Sequence, residues 1–278
     1  MFYVNSHEKR ELLALKQEVR KQREQQLCHR EAEFVFIGAP INLTSNRPRN
    51  RTRGTLKQEQ ILLLTNTRYT SVMQNDAIHI KKELRHEVLT RRDAMLASAR
   101  EQASRAICRK LKNQLAYLSA GSTVAVYAPM KSEVNLGDFV AWCYAQKLTV
   151  VFPCMNTKGS TPRMYMRSVE YQAWRDENVP FIDNPLKRFA EDDGSISDFP
   201  ICAPGFIDAV IVPMVAFDNG FQRLGYGGGN YDEYLRLISR EKTPGANVEI
   251  IGVAFETQRV NQVPTEPHDL PLPCIISA

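Results

Sequence analysis

Polar and apolar positions divide the chain into a polar first quarter and a regularly patterned remainder. Residues 8–33 are polar and helix-prone with a thin apolar stripe, and residues 41–57 combine Arg, Asn, Thr and Pro without any period. The second composition is typical of a disordered linker. Runs of apolar residues recur at regular intervals only from about residue 73. The pattern predicts a poorly ordered, partly helical extension over 1–72 and one folded domain over 73–278.

The folded part begins with helical spacing and then alternates between helix and strand. Residues 77–118 carry apolar side chains at helical intervals, which predicts two helices, and a third is expected over 135–147. Short apolar runs at 123–129 and 148–153 flank this third helix. Together these three elements predict a β-α-β unit.

A nearly continuous apolar run, IDAVIVPMVAF at 207–217, is typical of a central strand covered on both faces. A glycine loop, a helix from Tyr231 to about Ser239 and a strand at 248–255 follow it, and RMYMRSV at 163–169 alternates as another strand. Strands that alternate with helices predict an α/β fold with a mainly parallel sheet. In such sheets, ligands bind beyond the carboxyl ends of the strands.

Composition is that of an ordinary globular protein, with 43% hydrophobic and 24% charged residues. No window approaches the roughly 18 uninterrupted apolar residues that a membrane span requires, and the charged N-terminus lacks the apolar core of a signal peptide. We therefore expect a cytoplasmic protein without a membrane partner. The six cysteines stand far apart without a Cys-x-x-Cys pair, so we interpret them as structural.

The net charge of +5 is concentrated in the first quarter of the chain. Residues 1–75 hold 13 Lys and Arg against 7 Asp and Glu, whereas residues 76–278 hold 23 against 24. Alternating arginines between residues 47 and 53 can contact nucleic acid or another anionic surface. They lack interleaved aromatic residues, which favours a solvated tail, or sequence upstream of a start at Met73. A nucleic-acid partner is not expected.

The segment RLGYGGGNYDEYL, residues 223–235, places three consecutive glycines between a buried strand and a helix. Glycine loses more backbone freedom on folding than other residues, so the run indicates close approach to the main chain or unusual backbone angles. Loop N–H groups and the positive end of the following helix form a site for phosphate oxygens. Arg223 can bridge two such oxygens, and Asp232 can hold a Mg²⁺ that also contacts the phosphates.

The spacing excludes two common phosphate-binding motifs. A G-x-x-x-x-G-K-[ST] loop needs Lys and Ser or Thr where Tyr226 and Gly227 stand, and G-x-G-x-x-G needs a glycine at Asn230. A tight turn in which Asp232 caps the helix explains the same residues without a ligand. Spacing alone leaves the phosphate site and the capped turn both open.

The longer segment VIVPMVAFDNGFQRLGYGGGNYDEYL, residues 210–235, resembles the signature of the 5-formyltetrahydrofolate cyclo-ligase family, also called methenyltetrahydrofolate synthetases. Three more segments follow the family's order between about residues 77 and 270: IKKELRHEVL, YAPMKSEVN and VPTEPHDLPL. Four ordered motifs are far more specific than one. The resemblance implies a three-layer α/β/α sandwich and an enzyme that uses ATP, Mg²⁺ and a folate. We expect the protein to be a monomer.

The resemblance also implies roles for particular residues. Arg223 and Glu133 would serve catalysis, Glu133 by binding the amino-bearing ring of the folate, and Asp232 and Asp269 would hold the magnesium. The binding residues would be Lys81, Arg85, Arg223, Leu224, Gly225, Tyr226, Gly227, Gly228, Gly229, Asn230 and Tyr231 for the nucleotide, and Met130, Glu133 and Tyr231 for the folate.

In the implied reaction, ATP phosphorylates the formyl oxygen of 5-formyltetrahydrofolate. The neighbouring nitrogen then closes the ring and expels phosphate, which gives 5,10-methenyltetrahydrofolate, ADP and phosphate. Phosphoryl transfer needs alignment and charge neutralisation more than covalent help from the protein. The sequence accordingly shows no convincing pair of a nucleophile and a base.

Several of these residues also have an interpretation without a ligand. Lys81 and Arg85, at i and i+4, can be solvated neighbours on a helix. Glu133 can cap the helix that begins near Asn135, and Asp269 can belong to a surface turn. Convergence of the residues on one place in the fold would distinguish the functional interpretation from these.

Three positions depart from the family pattern. Asn230 stands where the family has the first tyrosine of Y-Y-D-R, Glu233 replaces its arginine, and Pro273 replaces an acid that often follows Asp269. Asn is a good helix cap, but the lost aromatic ring and the added negative charge affect the ligand side. Two alternatives therefore stay open: an ATP-dependent enzyme with a different substrate, and a non-catalytic binding protein that uses its basic N-terminal arm.

Overall fold

The computed structural model of the protein describes residues 78–242, 247–266, 269 and 271–278. The predicted extension over residues 1–72 and the predicted domain boundary at residue 73 lie outside these residues. Both stay predictions.

The described residues form six α-helices, ten strands and three short 3₁₀ turns. The helices are α1 (78–93), α2 (Ala97–Gln114), α3 (Gly137–Ala145), α4 (Tyr171–Arg175), α5 (Pro180–Asp183) and α6 (Asn230–Glu241). The strands are β1 (Thr123–Ala125), β2 (Thr149–Asn156), β3 (Met164–Ser168), β4 (Arg188–Phe189), β5 (Ile201–Cys202), β6 (Ile207–Pro213), β7 (Ala216–Phe217), β8 (Arg223–Leu224), β9 (Glu249–Ala254) and β10 (Cys274–Ser277). The 3₁₀ turns are Gly194–Ile196, Pro204–Phe206 and Glu256–Gln258.

One mixed sheet forms the centre of the described residues. Its strands lie in the order β10-β9-β6-β1-β2-β3-β5, and β4 pairs with the end of β2. The pairs from β10 through β2 are parallel, whereas β3 is antiparallel to both β2 and β5. Strands β7 and β8 form a separate antiparallel pair. The predicted α/β fold with a mainly parallel sheet is confirmed.

The central strands are covered on both faces, because successive side chains of a strand point to opposite sides. Val124 and Ile211 pack on one face with apolar residues of α2 and α3. Their neighbours Ala125 and Val210 pack on the other face with Ile238 of α6. Helices therefore bury both faces of the sheet, which is the predicted three-layer α/β/α arrangement.

Two strand boundaries differ from those predicted. The apolar run at 207–217 does not form one strand, because β6 ends at Pro213 and Ala216–Phe217 pairs with β8 instead. Proline has no N–H to continue a ladder of hydrogen bonds. Strand β10 was not predicted, because its four residues follow a proline-punctuated segment and are too few to show a period.

The carboxyl ends of the parallel strands bring several loops to one edge of the sheet. Strand β1 leads into the loop that contains Glu133, β2 leads towards Arg163, and β6 leads into the β7–β8 pair and the glycine loop. Helix α1 reaches the same edge with Arg85 and Arg92. This is the edge at which α/β sheets bind ligands.

The described helices include none that is both long and apolar enough to cross a membrane. All five cysteines in the described part of the chain are free thiols. Cys108, Cys143 and Cys154 are buried in the apolar core, as expected of structural residues.

Candidate active site

A buried carboxylate fixes the turn that leads into the glycine loop. Asp218 Oδ1 accepts from the N–H groups of Gly220 and Gln222 at 2.9 and 3.1 Å, and its Oδ2 accepts from the Val263 N–H at 2.8 Å. These bonds hold strand β7 close to β8, which begins at Arg223. The loop is thus anchored at its N-terminal end by hydrogen bonds to the Asp218 side chain.

Two of the loop glycines occupy a backbone region that other residues rarely adopt. Gly227 and Gly229 have φ angles of 96° and 68°, in the left-handed half of the map. A Cβ atom on Gly229 would lie 3.0 Å from Nη1 of Arg163, and one on Gly227 would lie 3.5 Å from the guanidinium of Arg85. The glycine run therefore serves both the backbone angles and the close approach of two arginines.

Two carbonyl groups of the loop are bound by those same arginines. Arg85 Nε donates to the Gly225 carbonyl at 2.7 Å, and Arg163 Nη1 donates to the Gly228 carbonyl. Across the described residues, no backbone N–H group from Gly225 to Gly229 donates a hydrogen bond to the protein. The loop N–H groups therefore remain available to an anion, whereas the Gly225 and Gly228 carbonyls accept from arginines.

Helix α6 begins directly after the loop, and its first turn has no side-chain cap within the described structure. Its N-cap is Gly229, and Asp232 accepts from Arg223 instead of capping the helix. The orphan N–H groups and positive dipole end of α6 thus add to the anion site. The interpretation of the loop as a turn capped by Asp232 is wrong.

Two of the three predicted phosphate-binding cations, Lys81 and Arg223, each pair with a predicted magnesium-binding carboxylate. Lys81 Nζ lies 2.8 Å from Asp269 Oδ2 and 2.7 Å from Glu266 Oε2, while Arg223 Nη2 pairs with Asp232. Burial lowers the pKa of Lys81, but its hydrogen bonds to the two carboxylates outweigh burial and raise the pKa above its ordinary value. Lys81 is therefore charged at neutral pH.

The carboxylates suit a magnesium ion that is shared with phosphates. Mg²⁺ prefers oxygen ligands and is commonly held by one or two carboxylates together with substrate phosphates and water. Within the described residues, no cluster of three or more His, Cys, Asp and Glu side chains is arranged to hold a metal by itself. Asp232 keeps 46% of its side chain exposed, which leaves it accessible to such an ion.

Glu133 is buried beside the glycine loop, with only 8% of its surface exposed. Its Oε2 accepts from the Met130 N–H at 2.7 Å, and its Oε1 accepts from the Tyr226 hydroxyl at 2.5 Å. Burial raises the pKa of Glu133, although both hydrogen bonds and the charge of Arg92 oppose the shift. Both carboxylate oxygens are engaged away from α3, so the helix-cap interpretation of Glu133 is wrong.

The other predicted binding residues lie in different environments. Leu224 is buried in an apolar cluster with Val88 of α1, so its side chain stabilises the loop. Met130 is half-buried and reaches Glu133 through its main chain. The Tyr231 hydroxyl is buried without a hydrogen-bond partner in the described residues, and burial, then the charge of Glu133, raises its pKa. A buried hydroxyl without a protein partner is suited to bind a ligand.

Two arginines that were not predicted from the sequence join the site. Buried Arg92 donates from Nη1 to the Tyr226 hydroxyl at 2.8 Å. Arg163 holds the Gly228 carbonyl from a position just before β3. Helical spacing carried a signal for Arg92, because it lies seven residues after Arg85 and so on the same face of α1. Arg163 follows a loop, and no spacing rule indicated it.

The two departures Asn230 and Glu233 contact the end of β2 and the segment between β2 and β3. Glu233 lies 3.2 Å from Nε of Arg163, and Asn230 Nδ2 lies 3.7 Å from the sulfur of Met155 at the end of β2. An arginine of the same chain therefore opposes the negative charge of Glu233. Direct contacts thus connect the loop with α1, the Glu133 segment and the β2–β3 connection.

Comparison with known proteins identifies a family for this chain. Residues 77–278 match the model of the 5-formyltetrahydrofolate cyclo-ligase family. The chain belongs to this family. The match includes all of the described residues and hence all four of the segments that resemble the family in sequence.

Individual relatives of this cyclo-ligase family member agree with the match. The 5-formyltetrahydrofolate cyclo-ligase of Mycoplasma pneumoniae is 26% identical over 71% of this chain and 98% of its own length. That of Escherichia coli K12 is 41% identical over 71 residues, which are 26% of this chain and 36% of the bacterial protein. The solved structure of a 5,10-methenyltetrahydrofolate synthetase from Mycoplasma pneumoniae aligns with a TM-score of 0.52 at 23% identity, over 70% of this chain and 97% of that one. This structural likeness supports the fold.

Proposed function

We propose that the protein is an ATP- and Mg²⁺-dependent 5-formyltetrahydrofolate cyclo-ligase, which forms 5,10-methenyltetrahydrofolate, ADP and phosphate. The observation that carries the proposal is the glycine loop. Its Gly225 and Gly228 carbonyls are bound by Arg85 and Arg163, and its N–H groups from Gly225 to Gly229 have no protein partner among the described residues. Membership of the cyclo-ligase family supplies the substrate class.

The nucleotide binds with its phosphates on the loop and at the start of α6. Two charged side chains lie close to this site. Asp269 positions Lys81, and Asp232 positions Arg223. A phosphate chain gives both cations new partners and leaves the two carboxylates to hold magnesium. The magnesium ion supplies positive charge that neutralises the phosphates. Together with Lys81 and Arg223, it balances the negative charge that the nucleotide brings.

The folate binds with its amino-bearing ring on Glu133. This carboxylate accepts hydrogen bonds on both oxygens, from the Met130 N–H and the Tyr226 hydroxyl, and those bonds orient it for the ring N–H groups. Burial strengthens that interaction because the local dielectric constant is low. The unpartnered hydroxyl of Tyr231 provides a further donor for the substrate.

The chemistry needs alignment and electrostatic stabilisation and no covalent bond to the protein. A formyl oxygen is a poor leaving group, and its phosphorylation allows the neighbouring nitrogen to close the ring with loss of phosphate. Fixed positive groups aimed at the transferring phosphoryl group lower the barrier without reorganisation during the reaction. Arg223, whose side chain is only 7% exposed, is the catalytic group that is best fixed for this task.

The test is a coupled measurement of both products. Purified full-length protein with ATP, Mg²⁺ and 5-formyltetrahydrofolate is expected to generate the absorbance of 5,10-methenyltetrahydrofolate and an equal amount of ADP. ADP release that requires another formylated or pterin-like compound would favour the different-substrate alternative. Absence of both products would contradict the proposal.

A further inference from the structure

One side chain links the glycine loop to the Glu133 segment. Tyr226 occupies the variable position of the loop motif, and it is the one residue from 225 to 229 that is not glycine. Its hydroxyl donates to Glu133 Oε1 at 2.5 Å and accepts from Arg92 Nη1 at 2.8 Å. Any side-chain contact between this part of the loop and the rest of the site is therefore made by Tyr226.

The two charged groups that hold this hydroxyl are both buried. Arg92 is 2% exposed and Glu133 is 8% exposed. Buried charges are strongly destabilising unless they are paired or hydrogen-bonded, and the phenol hydroxyl is hydrogen-bonded to both. Ser132 Oγ accepts from Arg92 Nε at 3.0 Å and keeps the guanidinium in place. The position of the phenol is thus set from two sides.

Glycines on both sides of Tyr226 allow the loop main chain to take many conformations. Arg85 and Arg163 restrain it through carbonyls, and Tyr226 restrains it through its side chain. A nucleotide that fixes the loop N–H groups also fixes the phenol. The phenol in turn fixes the carboxylate of Glu133, on which the folate is proposed to bind.

We propose that the Tyr226 hydroxyl couples the two binding sites, so that nucleotide and folate each strengthen the binding of the other. This proposal rests on the proposed function. Each ligand orders the same chain of hydrogen bonds from Arg92 through Tyr226 to Glu133, so the second ligand finds it already ordered. Thermodynamic linkage requires the gain in affinity to be equal in both directions.

The test measures four dissociation constants by calorimetry with full-length protein. A non-hydrolysable ATP analogue with Mg²⁺ is titrated without and with saturating 5-formyltetrahydrofolate, and the folate is titrated without and with the analogue. In the natural protein each ligand is expected to tighten the other by about fivefold or more. In Tyr226→Phe, which keeps the ring and loses the hydroxyl, both ratios are expected to fall close to one.

Two further variants separate coupling from general damage. Tyr144→Phe removes a hydroxyl that donates to the Val169 carbonyl at 2.8 Å, outside the hydrogen-bond chain of the site, and should keep the coupling. Ser132→Ala loosens Arg92 without altering Tyr226, and should reduce the coupling partway. Thermal unfolding of every variant shows that the compared proteins are folded.

The outcomes distinguish this proposal from the proposed function. Binding of both ligands with unchanged coupling in Tyr226→Phe, or without coupling in the natural protein, overturns the role of Tyr226 and leaves the enzyme assignment standing. Failure of the natural protein to bind either ligand overturns both. If Tyr226→Phe does not fold, Ser132→Ala decides: unchanged coupling there overturns the proposal, and reduced coupling supports it.

Discussion

The buried carboxylate of Glu133 has a proposed role in folate binding, but its burial lowers the stability of the folded protein. Burial raises its pKa above 4.5, so the folded protein holds this proton to higher pH than the unfolded chain does. Over the interval between the two pKa values the folded state binds more protons, and stability therefore falls as pH rises through it. The same charged form is the one on which the folate is proposed to bind.

This sign leads to a prediction for Glu133→Gln. The variant lacks the titrating group. The melting temperature of the variant minus that of the natural protein should therefore increase as pH rises from about 4.5 towards 7. Thermal unfolding across that range measures the difference at each pH. A difference that stays constant would show that folding does not shift the pKa of Glu133.

Arg163 and Glu233 form the second residue-scale feature, an ion pair that compensates for a departure from the family pattern. Their charged atoms lie 3.2 Å apart, and the Arg163 side chain is 55% exposed. Exposed pairs contribute little to stability, typically about 0–1 kcal/mol. The pair therefore matters mainly by placing a guanidinium on the Gly228 carbonyl beside the proposed phosphate site.

A charge exchange tests this interpretation. Arg163→Glu should weaken binding of the Mg²⁺-bound ATP analogue by about tenfold or more, since it sets like charges beside each other and beside the phosphates. Adding Glu233→Arg removes the repulsion but leaves the Gly228 carbonyl without its donor, so it should recover only part of the affinity. Arg105→Glu is the matched control, because Arg105 is equally exposed at 55% and pairs with Glu101 at 2.9 Å on α2. Equal loss in both single variants, or full recovery in the double variant, would count against the interpretation.

At the scale of elements, the loop between β8 and α6 depends on glycine for two separable reasons. Gly229 has a φ of 68° and approaches Nη1 of Arg163, whereas Gly121 has a φ of 89° with open space around it. Alanine at either position should destabilise the protein by about 1 kcal/mol through backbone strain. Only Gly229→Ala also displaces Arg163.

We therefore expect Gly229→Ala, but not Gly121→Ala, to weaken nucleotide binding by about tenfold or more, which corresponds to about 1.4 kcal/mol of binding free energy. Both variants should lose a similar amount of stability. Calorimetric titration and thermal unfolding of the two variants separate affinity from stability. Similar affinities in the two variants would mean that the close approach of Arg163 has no role in binding.

The sequence was sufficient to place the loop between a buried strand and a helix, because apolar runs and glycine spacing are local signals. It was insufficient to find Arg163, whose contacts with Gly228 and Glu233 are 65 and 70 positions away along the chain. The end of β6 at Pro213 and the existence of β10 also depended on which strands pair, and pairing is decided by the whole fold.

At the scale of the whole molecule, the family match begins at residue 77, and every residue assigned to the site lies beyond it. The role of residues 1–72 stays a prediction. We expect the chain from Met73 to Ala278 to form methenyltetrahydrofolate with kcat/KM within a few-fold of the full-length protein. Steady-state kinetics of both forms measure this, and a large loss would place part of the site in the extension.

The central claim, that the glycine loop binds the phosphates of a nucleotide through its N–H groups, can be measured directly. Of the 14 glycines in a protein labelled with ¹⁵N only at glycine, Gly225, Gly227, Gly228 and Gly229 should show amide resonances that shift and saturate on titration with the Mg²⁺-bound ATP analogue. Gly121 and Gly159 have positive φ angles in open space and should not shift. Loop resonances that stay unchanged at nucleotide concentrations that saturate the protein would contradict the claim.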